Sequence, residues 1–333
     1  MKNIKKFIVL PLIGALLVGC KGKKHYSCAD YMTSVMWHDK TKEFRVLQLS
    51  DIHFSQSDYR EEHYKVIDET VSRAKADLIV LNGDCFTFAD KLVVNELFDH
   101  INSYGIPWTF TFGNHDDQGY YSDTYIQRLL CDTDRFSNAR FVNLEDDDVT
   151  GRSNFVINIT QSYKQDPVYQ IYLFDSHSYN FDDAGYDFIK QDQIDWYESM
   201  VKFSTETYGK VIPSSAYMHI APPEFYTAWY LSQEGDPSAK LIIGSTDEYS
   251  GGPKPESDLH LFDKIKELGS TKSISAAHEH INDSVIDYQG IYLAFGVHST
   301  NRIYRDEDKI GGQILKISPD NFSISFENIY VKY

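Results

Sequence analysis

Three short apolar runs, Phe44 to Leu49, Asp77 to Leu81 and Trp108 to Phe112, alternate with two stretches of helical spacing, Glu61 to Lys75 and about Lys91 to Tyr104. In the first helical stretch Val66, Ile67 and Val71 recur at intervals that place them on one helix face. Two strand-helix-strand units in succession imply parallel pairing with right-handed crossovers, since a parallel neighbour cannot be reached by a tight turn. The fold class expected is therefore α/β. Tyr169 to Phe174, Ser215 to His219 and Lys272 to Ala276 read as further strands. Gln313 to Ile317 and Phe322 to Val331 read as an antiparallel pair around Pro319-Asp320-Asn321. Two mixed sheets packed face to face with helices outside, a four-layer α/β/β/α sandwich, accommodate all of this. No internal repeat, low-complexity block or long linker marks a second domain, and 333 residues suit one large α/β unit.

Each of the first three runs ends in side chains able to hold a metal. Asp51-Ile52-His53 follows the first, Gly83-Asp84 the second and Gly113-Asn114-His115-Asp116 the third; His219, His278 and His280 come later. Groups placed where strands give way to loops converge at one edge of a sheet, where open α/β folds bind their ligands. Two divalent metals close together repel, so a shared carboxylate is needed between them, and Asp84, central in the order, is the candidate bridge. Asp51, His53 and one late histidine complete one shell; Asn114, His219 and the other late histidine complete the second. Mixed oxygen and imidazole donors suit iron, manganese or zinc better than magnesium or calcium. A neutral asparagine among them leaves the site cationic, as phosphate binding requires.

These motifs resemble the calcineurin-like metallophosphoesterase superfamily, whose pattern is Asp-x-His, Gly-Asp, Gly-Asn-His-Asp or -Glu, a lone His, and Gly-His-x-His. The resemblance covers Lys42 to about Arg305. It implies that Asp51, His53, Asp84 and His280 bind one metal and Asp84, Asn114, His219 and His278 the other. His115 then matches the non-ligand histidine that contacts the substrate phosphate. Further stretches resemble the small purple-acid-phosphatase-like branch: Leu173-Phe174-Asp175-Ser176, Gly185-Tyr186-Asp187 with Ile189-Lys190 and Trp196, Met218-His219-Ile220-Ala221-Pro222-Pro223-Glu224, His280-Ile281-Asn282-Asp283 and Gly296-Val297-His298. Three departures stand out. Thr87 occupies the position of the metal-bound tyrosine of purple enzymes, which also lack the histidine present here at His53. Ala277 stands where a glycine precedes the first late histidine; a positive φ there would cost about 1 kcal/mol.

The first nineteen residues resemble a bacterial lipoprotein signal: Lys2, Lys5 and Lys6, an apolar stretch from Phe7 to Val18, and small residues before Cys20. This predicts a signal peptide over 1–19, lipidation at Cys20, a polar tether over 20–40 and a catalytic domain over 41–333. The location implied is the cell envelope, membrane-anchored and facing outside the cytoplasm. Cys28, Cys85 and Cys131 show no metal-ligand spacing; Cys85 reads as a packed thiol, and a Cys28–Cys131 disulfide stays open.

The reaction expected is hydrolysis of a phosphomonoester or phosphodiester by attack of a metal-bridging hydroxide, with His115 assisting the leaving group. The partner expected is a phosphorylated small molecule or polymer. A formal charge of −17 provides no basic stripe, which argues against nucleic acid as a partner. A nuclease or nucleotide phosphodiesterase and a non-catalytic surface binding protein are the alternatives. Asp116 is expected to orient a histidine. His177, His298, Arg302 and Tyr304 are candidates for substrate contact or for structure. Phe54 to Tyr64, Gly119 to Asp148 and Tyr226 to Asp258 are expected to be loops that set specificity.

Overall fold

Side-chain alternation sorts each inner strand between two cores. In β2 (Phe44–Leu49), Phe44 and Val46 face one apolar cluster while Leu47 and Leu49 face another. In β3 (Leu78–Asn82), Leu78 and Val80 join the first and Ile79 and Leu81 the second. Strands buried on both faces read as continuous apolar runs, which is why these segments were legible as strands. The computed structural model describes residues 26–55, 60–119, 122–144, 148–163, 165–180, 185–249, 252 and 259–332. Cys20 and the signal segment lie outside them.

Two large mixed sheets result. One has five strands in the order β15 (Ile324–Tyr330), β14 (Gly311–Ile317), β2, β3, β4 (Trp108–Thr111). The other has eight: β1 (Met32–Met36), β5 (Phe155–Thr160), β6 (Tyr169–Leu173), β9 (Ser214–Tyr217), β11 (Thr271–Ala276), β13 (Ile291–Phe295), β12 (Val285–Tyr288) and β10 (Ala239–Ile243). A short pair, β7 (Tyr179–Asn180) and β8 (Gly185–Tyr186), stands apart. Helices α1 (Arg60–Ala74), α2 (Lys91–Ser103) and α3 (Ser122–Leu130) pack on the five-stranded sheet through Val66, Ile67, Val94, Leu97 and Ile126. Helices α4 (Gln191–Tyr208), α5 (Glu224–Glu234) and α6 (Leu261–Leu268) cover the other through Trp196, Tyr197, Phe225 and Ile265. Between the sheets lies a third cluster, with Val46, Leu78, Ile157, Ile171 and Leu315. Three apolar layers between four layers of structure are the α/β/β/α sandwich expected.

The parallel pairs β2–β3 and β3–β4 bear out the two crossover units. The antiparallel tail also forms, with Ile317 opposite Ile324. Its last strand begins two residues later than expected because Phe322 has φ 58°, outside the extended region.

The expected tether over 20–40 needs correction. Cys28–Tyr31 forms a 3-10 turn, and β1 pairs in parallel with β5 from Met32 opposite Val156 to Met36 opposite Thr160. Val35 and Trp37 are buried between the sheets, so the segment was polar in composition but alternated with enough apolar residues to be held. The expected specificity loops are also partly regular: α3 falls within Gly119 to Asp148, and most of α5 and all of β10 within Tyr226 to Asp258.

Candidate metal centre

Five parallel-paired strands from both sheets end at one place. Asp51 and His53 follow β2, Asp84 follows β3, Asn114 and His115 follow β4, His219 follows β9, and His278 and His280 follow β11. Stacked sheets share no backbone ladder, so polar side chains stitch their ends. Gln48 Nε2 donates to the Ala276 carbonyl at 3.0 Å, Asn82 Nδ2 to the Met218 carbonyl at 3.0 Å, and Thr111 Oγ1 to the Phe174 carbonyl at 2.8 Å. These buried bonds fix the distance between the two halves of the site.

The turns themselves are strained. Asp51, His53, Asp84 and His278 have φ of 51°, 48°, 48° and 73°. Each non-glycine residue in that region costs roughly 1–2 kcal/mol, a cost retained where the backbone must aim a functional side chain. Ala277 is absent from the positive-φ set, so its extra methyl costs nothing in φ strain; the left-handed residue is His278. The motif glycines answer to close approach instead. A Cβ on Gly83, φ 81°, would lie 2.4 Å from His219 Nδ1, and one on Gly113 would lie 2.3 Å from the Asp84 nitrogen.

Six of the seven expected donors form two buried groups able to hold an ion, Asp51 with His53 and His280, and Asp84 with His219 and His278. Asp84 Oδ2 lies between them, 3.3 Å from His219 Nε2 and 3.7 Å from His53 Nε2. Asp51 Oδ1 is 3.6 Å from His280 Nε2. The seventh donor, Asn114, gives its Nδ2 to the Tyr179 hydroxyl at 3.5 Å, which leaves its oxygen for the site. Second contacts orient the rings: His219 Nδ1 donates to the Asn82 carbonyl at 3.0 Å and His280 Nδ1 to the Tyr304 carbonyl at 3.2 Å, so each turns Nε2 inward.

Asp51 Oδ1, His53 Nε2, Asn114 Oδ1, His219 Nε2 and His278 Nδ1 are buried with no hydrogen-bond partner. At roughly 1–3 kcal/mol each, five such atoms would cost about as much as a typical domain's entire stability. Carboxylate, amide and imidazole donors converging in this way fit a pair of cations.

The electrostatics agree. Burial pushes His53 and His278 down to about 3 and His280 to about 4, leaving neutral imidazoles whose lone pairs are free for a metal. Burial pushes Asp51 up to about 7. Burial works against charge on His219 and Asp84 as well, but their mutual attraction prevails: His219 rises to about 9 and Asp84 is held below the usual carboxylate range.

His115 stands apart from the donor groups. Its backbone nitrogen donates to Asp84 Oδ1 at 2.7 Å, its Nδ1 lies 3.1 Å from Gln118 Oε1, and its ring lines the cavity over Asp84 and His278. Asp116 does not orient a histidine. Its carboxylate accepts the backbone N–H of Gly113 at 2.8 Å and of Phe86 at 3.1 Å, tying two ligand loops together. Burial pushes it well above the carboxylate range. Thr87 Oγ1 donates to the His53 carbonyl at 3.1 Å.

Arg302 pairs with Glu62, and His177 hydrogen-bonds Gln193. Tyr304 and His298 are nearer: both stack on His280, with ring centroids 4.2 and 4.8 Å away. Cys28, Cys85 and Cys131 are all free thiols. Tyr179, Tyr186, Glu248 and Glu279 around the site went unassigned in sequence. Tyr186 lay in a motif already singled out, Glu279 between two donors and Glu248 within the stretch Tyr226 to Asp258 expected to set specificity, although no motif marked it.

The calcineurin-like phosphoesterase family model matches residues 44–282. A protein named probable inactive purple acid phosphatase 14, from Arabidopsis thaliana, is 24% identical over 327 residues, spanning 87% of this chain and 79% of that one. Phosphatase DCR2 of Saccharomyces cerevisiae is 25% identical over 269 residues, spanning 72% of this chain but 44% of its own length. Among solved structures, GAP50, the anchor in the inner membrane complex of Plasmodium, shares the fold with a TM-score of 0.50 at 12% identity, over 88% of this chain and 90% of that one.

Proposed function

This chain belongs to the calcineurin-like phosphoesterase family of metal-dependent hydrolases, and from that premise we propose that it hydrolyses a phosphomonoester or phosphodiester at a dinuclear centre. The observation that carries this reading is the set of five buried, unpartnered donor atoms converging in and beside two groups. Asp51, His53, Asp84 and His280 would hold one ion and Asp84, Asn114, His219 and His278 the other, with Asp84 shared. The donor types favour iron, manganese or zinc. When bound, such ions supply Lewis acidity toward phosphoryl oxygens and acidify water enough to make a nucleophile near neutral pH.

The chain's own residues do the rest. His115 is assigned to the leaving group: if Nδ1 donates to Gln118 Oε1, Nε2 is the atom that takes part in proton transfer at the leaving oxygen. Its nearness to Asp84 holds it at the reacting face without making it a donor to either ion. His115→Ala is expected to lower turnover about 10²–10⁴-fold while two metals per chain are kept. Metal analysis by mass spectrometry beside an assay on paired mono- and diester chromogenic substrates tests both points; loss of metal in this variant would reject the division of labour. A protein that merely binds a ligand would show metal and no turnover in the same assay, the outcome that the relative named inactive brings into view. With Thr87 donating to a backbone carbonyl, a tyrosinate charge-transfer colour is not part of the proposal.

Attachment to a membrane through Cys20 belongs to the proposal as well. Among the described residues no helix is long and apolar enough to cross a membrane. The full chain expressed in a bacterium that processes lipoproteins is expected to partition into the detergent phase, and Cys20→Ser to move to the aqueous phase. Equal partitioning of the two would remove the anchor from the scheme.

A further inference from the structure

A cavity of about 120 Å³ opens over the donor groups, lined by Asp84, His115, Tyr186, Glu248, His278 and Tyr304 among others. Asp84 and His278 belong to the donor groups and His115 has the role given above, but Glu248 has neither. Its position is built. Asn282, 1% exposed and two residues beyond His280, accepts from the Glu248 nitrogen at 2.8 Å and donates to the Glu248 carbonyl at 2.9 Å. The Tyr304 hydroxyl reaches both carboxylate oxygens, at 3.0 and 3.3 Å. One hydroxyl leaves most of a carboxylate's acceptor positions open. Among the described residues no lysine or arginine pairs with Glu248. A carboxylate facing a phosphate-binding centre repels its substrate unless something positive comes between them.

The surroundings suit such a cation. Tyr304 lays one ring face on His280 with planes 15° apart, and Tyr186 meets His278 edge-on at 4.3 Å. Tyrosine rings beside a carboxylate attract an alkylammonium group more than a neutral one of the same shape. We infer that Glu248 and Tyr304 form a subsite for a cationic leaving group, so that the substrate is the phosphoester of an amino or quaternary-ammonium alcohol. This rests on the phosphoesterase reading above. In the reaction a water oxygen bonds to phosphorus and gives up a proton, the phosphorus–oxygen bond to the alcohol breaks, and the departing oxygen takes a proton by way of His115.

The test compares phosphocholine with 3,3-dimethylbutyl phosphate, which replaces the charged nitrogen by carbon, on the metal-loaded full chain. Wild type is expected to favour phosphocholine by about tenfold in kcat/KM, the scale of one cation–aromatic contact together with an ion pair. Glu248→Gln is expected to lower kcat/KM for phosphocholine and raise it for the neutral ester, and Tyr304→Phe to fall between. Choline alone, titrated by calorimetry into metal-loaded protein, is expected to bind wild type and to bind Glu248→Gln about tenfold more weakly. Phosphatidylcholine micelles run in parallel show whether the ester is free or part of a lipid headgroup. If a chromogenic ester is cleaved but the two alkyl esters react alike and choline does not bind, the subsite is rejected while the phosphoesterase reading stands. Equal slowing of both esters in Glu248→Gln assigns that carboxylate to the chemical step and also rejects the subsite. If no ester is cleaved, the phosphoesterase reading fails, and the choline titration decides the subsite by itself.

Discussion

Asp84→Asn is expected to lower the metal content from two ions per chain to one or none, and turnover by about three orders of magnitude or more, which is roughly 4 kcal/mol of transition-state stabilisation. The expectation follows from position. Asp84 Oδ2 is the donor oxygen that lies within 3.3 Å of one group's histidine and 3.7 Å of the other's. Substitution by asparagine keeps the shape but removes the charge that would sit between two cations and that holds His219 at its raised proton affinity. An amide also offers one oxygen where a bridging carboxylate offers two. Titration of the purified variant with zinc or manganese, read by calorimetry and by elemental analysis after gel filtration, measures the loss. Two ions retained with wild-type affinity would show that Asp84 is not shared, and would move the bridging role to Asp51, whose Oδ1 also lies 3.9 Å from His219 Nε2.

Gly83→Ala is the second large effect, and it acts through sterics alone. Two penalties coincide at this residue: φ is 81°, and a Cβ would stand 2.4 Å from Nδ1 and 2.6 Å from Cγ of the His219 ring. The ring cannot retreat easily, because Nδ1 is bonded to the Asn82 carbonyl immediately before the glycine and the histidine is fully buried. A left-handed alanine costs about 1–2 kcal/mol, and overpacking a rigid contact adds roughly 1–3 kcal/mol. The variant is expected to melt several degrees lower and to lose the ion held by His219, with the Asp51, His53 and His280 group less affected. Differential scanning calorimetry with and without added metal separates the two consequences. A variant that melts at the wild-type temperature and binds two ions would show that the turn relaxes freely, against the geometry described.

Much of the centre was legible in the chain because its donors sit in short local patterns. Asp-Ile-His, Gly-Asp and Gly-Asn-His each place side chains in the first residues after an apolar strand, and those strands announce themselves because both faces are buried. The glycines belong to the same code, although the physical reason for each, contact with His219 or with Asp84, involves another strand. The outer elements were harder. Segment β1, Met-Thr-Ser-Val-Met, is held by pairing with a strand more than a hundred residues later and by two apolar side chains, Val35 and Trp37. Edge strand β10 leaves Leu241 and Ile242 exposed, so it carries neither alternation nor a polar signature. Asp116 misled for a related reason. A carboxylate next to a histidine suggested support for that ring, whereas folding turned it toward two backbone nitrogens.

The order and types of the seven donors, and with them the class of reaction, were present in the amino-acid sequence by itself, since ligand chemistry is a property of residue type and strand-end placement is local. How those donors divide into two groups was already implied by the family resemblance, but the distances that realise the division were decided only by tertiary structure. Asp51 lies more than two hundred positions from His280, and their separation of 3.6 Å between Oδ1 and Nε2 is set by two sheets pressed over a shared core and stitched through Gln48, Asn82 and Thr111. Glu248 reaches the cavity by the same route, held by Asn282 and Tyr304, both distant from it in sequence. Contacts of that range depend on packing and cross-sheet hydrogen bonds, which no local pattern encodes.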